Sequence, residues 1–180
     1  MGTRYIYGFM KDCKTKYTYG HYDGYPDGVG LDLKRELSKY SVEFMRARFD
    51  KFIVCESSEI PEKITVQELL DKNYINIDKI NNKFITDKKD LFNCDWYTVL
   101  REWQGTIVPL MEYDTPYMIY ADEYSDHEYR YTIDLDNAWY VIDHHSYRSN
   151  DYNEIITIPL IELDEMTDDE YCRKIEEACQ

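Results

Sequence analysis

This sequence predicts an α+β fold on a mostly antiparallel sheet, and three observations carry that expectation. Alternating aromatic and β-branched runs stand at both ends of the chain, and helical periodicities fill the region between them. The strands therefore do not alternate one for one with helices, as a parallel βαβ sheet requires. A length of 180 residues suits one domain, 1–180, and 43% hydrophobic residues suffice for a core without disulfides or a structural metal.

The elements follow in order. Arg4 to Met10 and Lys16 to Tyr22 alternate around the polar loop Lys11-Asp12-Cys13-Lys14-Thr15, which reads as a β-hairpin. Asp23-Gly24-Tyr25-Pro26-Asp27-Gly28-Val29-Gly30 is dense in turn formers. Its glycines supply positive φ, Pro26 fixes one dihedral, and Asp23 can close an Asx-turn. Helical patterns then occupy 31–55: Leu33, Leu37 and Tyr40 share one face, and after Ser41 a stripe runs through Val42, Met45, Phe49, Phe52 and Ile53. These are two helices or one bent helix that cover a sheet face. Thr65-Val66-Gln67-Glu68 has the form of a capping box ahead of Leu69 and Leu70, and residues 73–94 carry no clear period. Asp95 caps a helix over 95–104, with Trp96, Val99, Leu100 and Trp103 inward and Gly105 as its stop. Strands follow at Tyr117–Ala121, Tyr129–Leu135, Ala138–Asp143 and Ile155–Leu163, as a meander whose last strand tolerates Pro159 only at an edge or bulge. Thr167-Asp168-Asp169-Glu170 is a second capping box, with Met166 stapled onto Tyr171 and Tyr171, Ile175 and Ala178 turned inward on the closing helix.

Charge is the strongest constraint on function. The net charge of −15 divides as +2 over residues 1–50, −2 over 51–110 and −15 over 111–180, so the acidic surface is concentrated in 111–180. A field of that sign repels phosphates, which argues against direct nucleic-acid binding and for a basic protein partner. Glu123, Asp126 and Glu128 in one loop, and Asp164, Glu165, Asp168 and Asp169 in another, are the candidate contacts. Cys13, Cys55, Cys94, Cys172 and Cys179 are odd in number and form no C-x-x-C, as in a reducing compartment. The first 30 residues hold no apolar leader core, and no run approaches the roughly 18 apolar residues of a membrane span. A soluble, cytoplasmic protein is expected.

No catalytic residue or cofactor is assigned. His21, Asp23, Asp143, His144 and His145 are metal-ligating types, but the adjacent histidines point to opposite faces of a strand and no zinc-type spacing is present. Asp134 and Asp136 read as turn residues. The 19 tyrosines suit half-buried strands, with Tyr22, Tyr25, Tyr113 and Tyr124 left on loops for binding. As an alternative ligand loop, His21, Tyr22, Asp23, Gly24, Tyr25, Gly28 and Gly30 could stack a base and approach a phosphate with backbone N–H groups.

Gly2-Thr3-Arg4, the His21-Tyr22-Asp23-Gly24-Tyr25-Pro26-Asp27-Gly28-Val29-Gly30 segment and Tyr131-Thr132-Ile133-Asp134-Leu135-Asp136 form an ordered set. Together they resemble a group of small, largely uncharacterised proteins, many from phages and prophages. Those proteins begin with Gly-Thr-Arg and carry a W/F-D-G/S-Y-P-x-G-x-G loop, at whose first position this chain has Tyr22, and a Y-x-I-D-L-D segment. The resemblance implies a shared α+β fold and a phage origin, hence the host cytoplasm, and supplies no catalytic assignment. By analogy of origin and charge, it points to a non-enzymatic counter-defence inhibitor, anti-CRISPR-like, that binds the basic nucleic-acid groove of a host nuclease. The alternatives are a small-ligand or nucleotide-binding or sequestering protein, and a hydrolase similar to the N-terminal-nucleophile type with Thr3 as nucleophile. Excision of Met1 alone would expose Gly2 rather than Thr3.

Overall fold

The computed structural model describes residues 2–80, 85, 87–121, 126–146 and 151–179. Strands β1 (Tyr5–Lys11) and β2 (Lys14–Gly20) form the expected hairpin. Only two residues turn it: Asp12 (φ 51°) and Cys13 (φ 59°) are both left-handed, the conformation that matches the twist of the flanking strands. Helices α1 (Val29–Leu37) and α2 (Val42–Phe49) follow, and Ser41 caps the second by accepting from the Phe44 N–H. After them come the short strand β3 (Ile53–Cys55), helix α3 (Lys63–Asp71) and the single turns α4 (Lys88–Leu91) and α5 (Trp96–Val99). Strands β4 (Tyr117–Ile119), β5 (Tyr129–Asp134), β6 (Trp139–Ser146) and β7 (Asp151–Pro159) precede helices α6 (Leu160–Glu165) and α7 (Asp168–Ala178).

The main sheet has the order β2-β1-β5-β6-β7, antiparallel throughout except for the parallel β1–β5 pair at its centre. Because side chains alternate along a strand, Tyr5, Tyr7, Phe9, Tyr131, Ile133, Tyr140, Ile142 and Ile158 share one face. They join Leu33 and Leu37 of α1, Met45 and Phe49 of α2 and Tyr171 and Ile175 of α7 in one buried cluster. Asp134 closes the β5–β6 turn, accepting from the N–H groups of Asp136 (2.9 Å) and Asn137 (3.0 Å).

The structure corrects several sequence expectations. Helix α2 stops at Phe49, and Ile53 lies in a strand. Lys16 of β2 reaches across and donates to the carbonyls of Phe49 (2.7 Å) and Phe52 (3.0 Å), capping the chain where it leaves the helix. Residues 117–119 do not join the meander; they pair in parallel with β3 as a separate two-stranded sheet. The last strand ends at Pro159, whose missing N–H cannot extend a ladder, and Leu160 to Leu163 are helical. Helix α3 begins at Lys63, with Glu62 at its N-cap, so Thr65 lies inside the first turn and caps nothing. The 95–104 helix keeps its Asp95 cap (2.9 Å from the Thr98 N–H) but tightens into a 3-10 turn over Arg101–Trp103 before Gly105 at φ 71°. The Thr167–Glu170 capping box is present, and Ala178 is exposed. Among the described residues no helix is long and apolar enough to cross a membrane.

Candidate functional site

The segment after β2 divides into an outward half and an inward half. Asp23, rather than a glycine, takes the left-handed backbone at φ 56°, which reverses the chain. Gly24, Gly28 and Gly30 have ordinary φ, contrary to the expectation, and are needed for close approach. A Cβ on Gly24 would lie 2.8 Å from the Thr3 carbonyl oxygen, and one on Gly30 would lie 2.6 Å from the Tyr171 hydroxyl. Three buried tyrosines clamp this half: Tyr131 donates to Gly24 O (2.7 Å), Tyr171 to Pro26 O (3.0 Å) and Tyr140 to Gly30 O (3.1 Å). A phenol buried without an acceptor costs about 1–3 kcal/mol, so the loop carbonyls make these core tyrosines tolerable. Thr3, the nucleophile of the hydrolase alternative, is itself buried beneath the loop.

His21 and Tyr22 point the other way and line a cleft of about 380 Å³ with Tyr19, Tyr97, Arg101 and Gln104. The Tyr19 hydroxyl and His21 Nδ1 are hydrogen-bonded at 3.1 Å, and the His21 and Tyr22 rings meet edge to face at 5.3 Å. The Tyr22 ring is 76% exposed. Across the cleft the Arg101 guanidinium lies over the Tyr97 ring, 5.0 Å from its centre, and its Nη1 donates to the Tyr97 hydroxyl and to Gln104 Oε1 (2.7 Å). Gln104 in turn donates to the Tyr97 carbonyl (2.9 Å). Sequence reasoning missed Tyr97, Arg101 and Gln104. The signal was present, because at i, i+4 and i+7 they lie on the side of the helical pattern opposite the Trp96, Val99, Leu100 and Trp103 stripe.

The acidic candidates fall into two classes. Asp126 is ion-paired with Arg4, and Glu128 is half-buried. Asp168 ties α7 to α1, accepting from Lys34 Nζ (3.0 Å) and from Arg35 Nη2 (2.8 Å) and Nε (3.0 Å). These bonds, led by that of Arg35, hold its carboxyl below the usual carboxylate range. Asp126 and Asp168 are thus engaged with cations that lie far away in sequence. Asp164, Glu165 and Asp169 are exposed and have no ion-pair partner among the described residues; Glu123 and Tyr124 lie outside those residues. Beside them, Leu37, Met45, Leu160, Ile161 and Leu163 line an apolar groove of about 240 Å³, at which Ile161 is 75% exposed.

The candidate metal ligands do not converge. Asp143 and His145 are buried, whereas His144 is exposed on the other face of β6. Asp143 accepts from Arg130 (2.9 Å), and burial pushes its carboxyl pKa up despite that partner. His145 stacks on the buried His127, whose Nε2 is 2.9 Å from the Tyr152 hydroxyl. Among the described residues no three His, Cys, Asp or Glu side chains are grouped to hold a metal ion. No family model matches the sequence, and no curated protein or solved structure matches it.

Proposed function

We propose that the protein is a non-enzymatic inhibitory binding protein whose acidic C-terminal helices dock on the basic nucleic-acid groove of a partner enzyme, as a phage-type counter-defence inhibitor would. One observation carries the reading: residues 160–179 hold eight carboxylates against two cations, on two adjacent helices. Asp164 lines the groove at Ile161 and Glu165 follows it in the chain, both without an ion-pair partner among the described residues. Unspent carboxylates around an apolar anchor point suit an interface that steers by charge and holds by desolvation. Because the contacts are exposed, salt screens them over about 10 Å at 0.1 M.

The test is affinity capture from host lysate with the wild-type chain and with Asp164→Lys/Glu165→Lys, at low and high salt. The wild type is expected to retain a nucleic-acid-processing protein at low salt, release it at high salt and displace nucleic acid from it; the variant is expected to lose it. Equal capture by the variant, or a partner that binds nucleic acid and this protein together, overturns the proposal.

A further inference from the structure

We infer that the cleft formed by Tyr19, His21, Tyr22, Tyr97, Arg101 and Gln104 is a binding site for a free mononucleotide, a planar base carrying one phosphate. The inference rests on this cleft alone and is independent of the acidic helices. The chain carries 36 carboxylates, yet this cleft is lined by aromatic rings, one guanidinium, one imidazole and one amide, with no acidic side chain. Its volume of about 380 Å³ lies within the roughly 300–1,000 Å³ range of small-molecule sites.

Each lining group has a defined share of the work. Tyr22 keeps a ring in water at the rim, and Tyr97 presents a second ring that already carries a cation, so a base can stack on either. Gln104 spends its oxygen on Arg101 and its nitrogen on the Tyr97 carbonyl, which makes it a positioning residue that fixes the guanidinium plane. Arg101 uses Nη1 in these contacts, while its Nε and Nη2 hydrogens have no acceptor among the described residues. Those two nitrogens form the fork that binds a phosphate in bidentate fashion. His21 commits Nδ1 to Tyr19, which leaves Nε2 for the ligand. A nucleic-acid strand would bring many phosphates to a protein of net charge −15 and be repelled, whereas a mononucleotide brings one.

The experiment titrates the full chain with the four ribonucleoside 5′-monophosphates, the matching nucleosides, inorganic phosphate and a single-stranded oligonucleotide. Melting temperature and calorimetry are the readouts. At least one monophosphate is expected to raise the melting temperature, with its nucleoside and phosphate at least tenfold weaker. Arg101→Gln and Tyr22→Ser should each weaken binding tenfold or more. Both side chains are exposed, so the unliganded melting temperature should stay unchanged, and Arg101→Lys should rescue only part of the loss. No response to any monophosphate overturns the inference. So does an undiminished response in both variants, or an oligonucleotide that binds more tightly than every monophosphate.

Discussion

Asp23 and the glycines around it carry opposite burdens. Asp23 holds the left-handed backbone at φ 56°, a conformation that aspartate and asparagine tolerate better than other side chains. Asp23→Asn should therefore leave stability in urea unchanged, whereas Asp23→Val should cost about 1–2 kcal/mol. Gly24 and Gly28 need no special φ, yet a Cβ on either would stand 2.8 Å from the nearest backbone oxygen. Gly24→Val and Gly28→Val should each cost about 1–3 kcal/mol by overpacking, measured as a lower urea midpoint at constant slope. The composition of the segment announced a tight reversal, and it also put His21 and Tyr22 in a candidate ligand loop. It could not show which residue takes the strained conformation, because that depends on Thr3 and Tyr171, which meet the loop only in the folded chain.

At the level of elements, α1 and α7 are fastened by Lys34 and Arg35 on one side and Asp168 on the other. Lys34 is a buried ammonium, so its partner matters more than an exposed ion pair would. Asp168 has its carboxyl pKa lowered, first by Arg35 and then by Lys34. The stabilisation is present above the unfolded carboxyl value of about 3.9 and is lost as pH falls through the depressed folded value. Asp168→Asn should lower the melting temperature at neutral pH and should flatten the acid limb of the curve of melting temperature against pH. An unchanged acid limb in the variant would show that other carboxylates set it. Local signals made the hairpin, the Asp95 cap and the Thr167 box legible, since each is written within a few neighbouring residues. The three-residue strand β3, its pairing with β4 and the end of α2 at Phe49 were not, because pairing across the chain and the reach of Lys16 decide them.

For the whole molecule, tyrosine is the distinctive core material, and it sets an alkaline limit. Burial pushes the Tyr5 phenol up to about 12 and raises Tyr131 and Tyr140 well above the ordinary value. In the unfolded chain these phenols ionise near pH 10. Their contribution is therefore complete below that pH and is lost as pH rises above it, by about 1.4 kcal/mol per unit for each tyrosine that stays protonated in the fold. Phenolate absorbance should rise in two steps, exposed rings near pH 10 and core rings together with the loss of circular dichroism. A single early step at intact dichroism would contradict this. The parallel pairing of β1 with β5 has a consequence for synthesis. Residues 5–10 find their central partner only when residues 129–134 have been made. Until then the emerging hairpin has an unsatisfied edge, open to any passing strand. Nascent chains arrested before residue 129 should thus be protease-sensitive and prone to self-association, and the sheet should close late, as one step, once the strands from 129 to 159 have emerged.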